Sequence, residues 1–282
     1  MSRRRVEESF FKALMIASTL AVLGSLILVL GTVVWRGLPA LNLDMLTQTP
    51  KGGYYLGKEG GILNAIVGSL YLAGGGTLAA MLASLPIALY LQLYAARSRR
   101  AEVVRLALDV LWGVPSIVYG VFGFVIMLWL GMRASLLGGI IALAFLELPI
   151  MTRGMDEAIA MVPSALKEAS YAMGATRLET ALRVVIRQAG PALLTAILLA
   201  FGRGIGDAAS VLFTAGYTDR LPDSLLGPAA SLPLAVFFQL GTPFPAVQER
   251  AYASALVLTV LVLALCLVSR RLTKRLTKHT IR

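Results

Sequence analysis

Residues 163–190 read PSALKEASYAMGATRLETALRVVIRQAG, the one long polar, helix-forming insert in a chain otherwise built of apolar runs. Pro163 suits a first helical turn, and Ala165 to Met173 is rich in strong helix formers. Gly174 supplies the left-handed residue on which such a helix ends. Thr176 opens a second helix, with Glu179 three residues on completing a capping box. The pattern predicts two short helices joined at a glycine, a compact knob between hydrophobic spans. On local pattern alone, the same residues read equally well as a solvated loop.

Around the knob the chain is 57% hydrophobic and 15% charged over 282 residues, with a mean hydropathy of +0.78, which places it in a bilayer. Six apolar runs approach the roughly 20 residues that a membrane helix needs. They are about Ala13 to Trp35, a run within Gly61 to Tyr94, Val110 to Leu130, Ser135 to Thr152, Pro191 to Phe213 and Ala251 to Ser269. The basic start at Arg3, Arg4 and Arg5 imitates a signal peptide. The apolar run after it is too long and lacks a small-residue cleavage site, so a retained first helix is expected. Pro86 is expected to kink or end the second span. Gly37 to Gly60 reads as a loop with little helical pattern.

Lys and Arg sort by side. Arg3, Arg4, Arg5 and Lys12 precede the first span, and Arg97, Arg99, Arg100 and Arg105 follow the second. Arg153, Lys167, Arg177, Arg183 and Arg187 surround the knob, and Arg270, Arg271, Lys274, Arg275, Lys278 and Arg282 form the tail. Only Arg36, Lys51, Lys58, Arg133, Arg220 and Arg250 fall in the opposite loops. The positive-inside rule then puts both termini and the knob in the cytoplasm. It also accounts for the net charge of +11 without nucleic acid. A single cysteine, Cys266, excludes an internal disulfide and a cysteine cluster, and the lone His279 argues against a histidine metal site. Gly52, Gly57 and Lys58 imitate a phosphate-cradling loop, but Glu59 stands where a magnesium-binding Ser or Thr belongs, so ATP hydrolysis by that route is not expected.

The fifth span carries charge: FGRGIGDAASVLFTAG, residues 201–216. Read as helix, Arg203 and Asp207 lie four apart on one face at membrane depth, where each costs about 2.5–3.5 kcal/mol to insert. Gly202, Gly206, Ser210 and Thr214 repeat at the same interval beside them. The stripe fits a helix-packing seam with a register-setting ion pair, and it fits a polar path; both stay open. A guanidinium offers forked donors to a small oxyanion and never loses its charge. Phosphate, sulfate, molybdate, tungstate and phosphonate all satisfy that chemistry. Glu147, near the end of the fourth span, reads as a snorkelling or packing charge. Leu225 to Pro245 is cut by Pro228, Pro233, Pro243 and Pro245. It reads as a short external or re-entrant helix near Leu234 to Leu240, or a plain interfacial loop.

Two stretches resemble a known family. Glu168-Ala169-Ser170, then Gly174, then Val184 and Ile186, are similar to the Glu-Ala-Ala loop of ABC importer permeases, with Ser170 at the third position and Arg187 where the general pattern has proline. Arg203 to Ala215, with Leu212-Phe213-Thr214-Ala215 intact, resembles the second permease subunit of the phosphate branch, except that Asp207 replaces a glutamate. The resemblance implies an all-α integral membrane protein, a type I importer permease with six transmembrane helices. Residues 1–61 would hold the tail, first helix and external loop, 62–269 the permease core with its coupling loop at about 155–190, and 270–282 a basic cytoplasmic tail. It implies ATPase coupling through Glu168, Ala169, Ser170, Ala172, Gly174 and Arg187, and a substrate path past Arg203, Asp207, Ser210 and Thr214. Implied partners are a homologous second permease, an ATPase dimer that carries the ATP and magnesium, and an external phosphate-binding protein, all at a bacterial or archaeal plasma membrane. This chain itself would bind no cofactor and catalyse no chemistry. A secondary transporter or channel, and a scaffold or sensor without a path, are the readings that lack the knob's rationale.

Overall fold

The computed structural model describes residues 3–51, 59–96 and 98–277. The order is α1 (Arg3–Gly37), α2 (Leu43–Thr47), β1 (Pro50–Lys51), β2 (Glu59–Gly60), α3 (Leu63–Leu93), α4 (Arg99–Trp112), α5 (Ser116–Trp129), α6 (Leu136–Ala160), α7 (Ser164–Ala172), α8 (Arg177–Thr180), α9 (Ile186–Ile205), α10 (Leu232–Leu240) and α11 (Pro245–Thr277). The loop after α1 is less irregular than its sequence suggests. Asn42 caps α2 by accepting from the Met45 amide at 2.7 Å, and β1 pairs antiparallel with β2. Gly52, Gly57, Lys58 and His279 lie outside the described residues.

Among the described residues, five single helices are long and apolar enough to cross a membrane, and a sixth span requires counting α4 and α5 together. That pair bends by 98°, so the straight helix expected over Val110 to Leu130 is replaced by an elbow at Gly113-Val114-Pro115. Pro115 has no N–H to give and disfavours a helical Val114. The Tyr119 hydroxyl donates to the Leu111 carbonyl at 2.8 Å, tying α5 back to the last turn of α4. Pro86 does not end its span. α3 runs through it to Leu93, as α6 runs through Pro149 to Ala160 and past the expected end at Thr152. α11 continues through Ser269 to Thr277 without a break.

α3 and α6 form the centre. A side chain at Gly76 would stand 2.8 Å from Leu143 Cβ, and one at Gly139 would meet Leu72 and Ala215, so the absence of Cβ atoms sets how closely these backbones approach. α9 closes the bundle from the other side through Ala189, Leu193 and Ala196, with Val185 just before it, against Met151, Met155 and Ile159. α10 is a short, largely buried helix: the Leu232 amide donates to Ser69 Oγ at 2.8 Å, and Gly68 admits the Ala230 carbonyl against α3. α1 packs on α11, with the Arg36 guanidinium 5.3 Å from the centre of the Tyr252 ring, and otherwise stands exposed.

The last turn of α6 is held by Asp156. Its buried carboxylate accepts from Gln92 Nε2 at 2.8 Å, from Arg105 Nε at 2.8 Å and from Arg153 Nη1 at 3.4 Å, joining α3, α4 and α6. Asp109 also reaches Arg153, at 2.7 Å, but its side chain is 48% exposed. Asp156→Ala therefore strands the Arg105 guanidinium and leaves Arg153 to Asp109, and it should cost about 3 kcal/mol, the low end for breaking a buried pair because Arg105 stays partly wetted. Asp109→Ala should cost less than about 1 kcal/mol. Thermal unfolding of the purified chain compares them, and equal losses would contradict this account of the α4–α6 joint.

Candidate functional site

The knob forms as its residues dictate. Pro163 precedes α7 as its cap rather than sitting inside it. Gly174 adopts φ +81°, a value that side-chain-bearing residues rarely take, and turns the chain into α8. The Thr176 hydroxyl accepts from the Glu179 amide at 3.3 Å while Glu179 Oε2 accepts from the Thr176 amide at 2.9 Å, completing the capping box. Ser170 and Thr180 share a hydroxyl–hydroxyl hydrogen bond of 2.9 Å that ties α7 to α8, which gives the serine at the third motif position a job that alanine cannot do. Arg177 lies over the Tyr94 ring at 5.5 Å, pinning the knob to the end of α3. Glu168, Ala169, Ala172 and Met173 are left exposed, Met173 at 88%. Partial burial pushes the Lys167 ammonium below the ordinary lysine range. A wider π turn, Ala181–Val185, leads into α9, and Arg187 is exposed in the first turn of that helix.

The far end of α9 departs from the helix expected there. It stops at Ile205, Gly206 caps it, and residues 207–215 form a coiled series of turns. Gly202, Gly204 and Gly206 supply little helix propensity, and Asp207 begins the next turn as a cap. Asp207 Oδ2 accepts from the Ser210 amide at 2.8 Å and from the Ser210 hydroxyl at 2.6 Å. Thr214 Oγ1 donates to the Ser210 carbonyl at 2.9 Å, and the Thr214 carbonyl accepts from the Ser135 amide at 2.8 Å. Gly120 of α5 lies against the backbone of Ala209 and Ser210. Asp207, Ser210 and Thr214 are thus buried and occupied, while Arg203 in the last turn of α9 is exposed and meets no carboxylate among the described residues. Two expectations fall: Arg203 and Asp207 are not a same-face ion pair, and Gly202, Gly206, Ser210 and Thr214 are not one helical stripe.

Of the two readings of Glu147, the packing charge holds and the snorkelling one does not. The residue sits midway along α6 with no exposure, accepting from Thr77 Oγ1 of α3 at 2.7 Å. Its second oxygen, Oε1, stands where a Cβ on Gly204 would be. Hydropathy along one helix cannot register a neighbour 57 residues later in the chain.

The matching family model, "Binding-protein-dependent transport system inner membrane component", covers residues 76–282 and so contains both regions. The chain belongs to this family. Two proteins named "Phosphate transport system permease protein" support the membership. The Haemophilus influenzae PstA is 34% identical over 86% of this chain and 85% of its own length. The Mycobacterium tuberculosis PstA 1 is 34% identical over 92% and 85%. The fold also matches permeases of solved importers. A MetNI methionine ABC transporter chain gives a TM-score of 0.63 at 19% identity over 76% of this chain and 95% of its own. A bacterial alginate ABC transporter chain gives 0.62 at 14% identity over 98% and 97%. This inner-membrane component is thus a membrane-integral transport subunit with the type I ABC importer permease fold.

Because Asp207 spends its hydrogen bonds on its own turn, removing it should not compensate for removing Arg203. Asp207→Asn keeps an acceptor oxygen for Ser210 and should retain most uptake per assembled complex. Arg203→Gln with Asp207→Asn should transport no better than Arg203→Gln alone. Recovery of the double variant in a radiolabelled phosphate uptake assay would restore the ion pair that the geometry rejects.

Proposed function

We propose that this chain is the transmembrane permease subunit of an ATP-driven importer that moves inorganic phosphate into the cell. It forms half of the path, with a homologous second permease as the other half. An ATPase dimer docks on the α7–α8 knob and holds the ATP and magnesium, so this chain binds no cofactor and performs no chemical catalysis. An external phosphate-binding protein delivers the anion. The setting is a bacterial or archaeal plasma membrane with both termini and the knob in the cytoplasm, as the distribution of Lys and Arg supports.

The observation that carries this reading is the layout of α9. The exposed knob adjoins one end, and Arg203, exposed and without a carboxylate partner among the described residues, sits in the last turn of the other. From Arg187 to Arg203 is about 24 Å at 1.5 Å per residue, most of the hydrocarbon thickness of a bilayer. Movement imposed at the knob is delivered to the guanidinium without a flexible link. Glu168, Ala169, Ala172 and Gly174 supply the docking face, Ser170 the internal tie and Arg187 a charge where α9 begins. Arg203 meets the hydrated anion with forked donors at a point where the bilayer alone excludes it.

Gly174→Pro tests the coupling end. Proline cannot adopt φ +81°, so the turn must rearrange while the spans remain inserted. Membrane levels should stay near normal while co-purification with the ATPase and phosphate uptake are both lost. Retained association with full uptake would remove the assignment. Orientation is tested by single cysteines in a Cys266→Ser background. Ser164→Cys should react with an impermeant thiol reagent only from the cytoplasmic side and Ser224→Cys only from outside; the reverse labelling would overturn the topology.

A further inference from the structure

Three carboxylates are buried among the described residues, and two are accounted for. Asp156 is ringed by Arg105, Arg153 and Gln92, and Asp207 caps its own turn. Glu147 is the third. No cation pairs with it among the described residues, Oε2 accepts one hydrogen bond from Thr77, and Oε1 has no partner. A carboxyl group held without exposure in a bilayer core is expensive, and a leucine would pack there at far lower cost. Its role must lie in what it touches.

It touches Gly204. Any side chain on residue 204 would collide with Oε1, so the glycine and the carboxyl group occupy one space between them. Gly204 is the residue after Arg203 and lies in the last turn of α9, where the peptide ladder is already ending. Thr77 on α3 fixes the carboxyl group from behind, and α6 carries it. Three helices therefore set the height and rotation of the turn that presents the guanidinium. Bidentate recognition of an oxyanion depends on direction as much as on charge. A guanidinium at the end of a long side chain amplifies any settling of the backbone beneath it.

We propose that Glu147 is a positioning residue for Arg203, acting through Gly204 by the length of its side chain and its hydrogen bond with Thr77 rather than by net charge. The proposal rests on the reading that Arg203 meets the passing anion. Removing the carboxyl group leaves a void beneath Gly204, into which the end of α9 settles. A methyl on Gly204 takes the space that Oε1 fills, so the carboxyl group must leave its Thr77-bonded position or the turn must move. Either change misaligns Arg203 while its charge is intact.

The test uses the complete importer in proteoliposomes, measuring inorganic phosphate moved per ATP hydrolysed in assembled complex. A lesion that only weakens folding lowers the amount of complex and leaves this ratio alone. Glu147→Ala and Gly204→Ala should lower the ratio on the order of tenfold or more, in keeping with the cost of a misplaced binding group. Glu147→Gln, which keeps the length and an acceptor for Thr77, should stay within about twofold of wild type on the same argument. Should Glu147→Ala fail to assemble, Gly204→Ala and Glu147→Gln still decide. A wild-type ratio in Gly204→Ala, or a Glu147→Gln as impaired as a complete loss, overturns the positioning role. Arg203→Gln in the same preparation separates the two levels. If it transports normally, the reading of Arg203 itself falls; if it abolishes transport while Gly204→Ala does not impair it, only the role of Glu147 falls.

Discussion

A helix cannot lengthen or shorten without breaking its hydrogen bonds, and in this chain one helix joins the knob to Arg203. Residues 177–205 run as a continuous helical rod, with the knob at its start and Arg203 in its final turn. Everything around the rod fixes one of its ends. At the knob, the capping box, the Ser170–Thr180 hydrogen bond and the Arg177–Tyr94 contact hold two short helices that would not persist alone. At the far end, Glu147 fills the space beneath Gly204 and Asp207 closes the turn that follows. In between, Val185, Ala189, Leu193 and Ala196 press the rod onto α6, so it moves with the bundle rather than bending in lipid.

The knob was legible in the sequence because its determinants are local. A glycine at a positive φ and a threonine three residues before a glutamate act within one turn, and no distant neighbour can override them cheaply. The end of α9 was not legible for the opposite reason. Gly202, Arg203, Gly206, Asp207, Ser210 and Thr214 do repeat at helical spacing, so periodicity alone continues the helix past its end. Three alternating glycines weaken it, and Asp207 then finds better partners in the Ser210 amide and hydroxyl than in Arg203. The glycines at 202, 204 and 206 were the signal that outweighs the stripe. The prolines taught a related lesson: α3 and α6 pass through Pro86 and Pro149 because neighbouring helices keep the segment packed, whereas Pro115, with Gly113 two residues before it, breaks the chain into an elbow.

Buried charge separates into two kinds in this protein. Asp156 is surrounded by donors from three helices and acts as a joint, in a place where its partners stay partly wetted. Glu147 is set deeper with a single hydrogen bond, and its contact is steric as much as polar. Hydropathy treats both as interruptions of an apolar run, since it scores a residue without its neighbours. Only the three-dimensional packing of α3, α6 and α9 shows that one carboxylate braces the last turns of α6 and the other lies under the guanidinium-bearing turn.

On the proposed function, the α7–α8 knob is the surface on which the ATPase pushes. Met173 tests this most directly, because it is 88% exposed at the end of α7. Met173→Cys in a Cys266→Ser background, carried in the assembled complex, should form a short-range cross-link to the ATPase subunit with a bifunctional thiol reagent, provided that subunit presents a single engineered cysteine in its docking cleft. The account predicts that cross-link in the fully assembled complex and its loss when Gly174→Pro is added. A complex that contains the ATPase and transports phosphate, yet gives no cross-link from Met173→Cys to any position of that cleft, would contradict it.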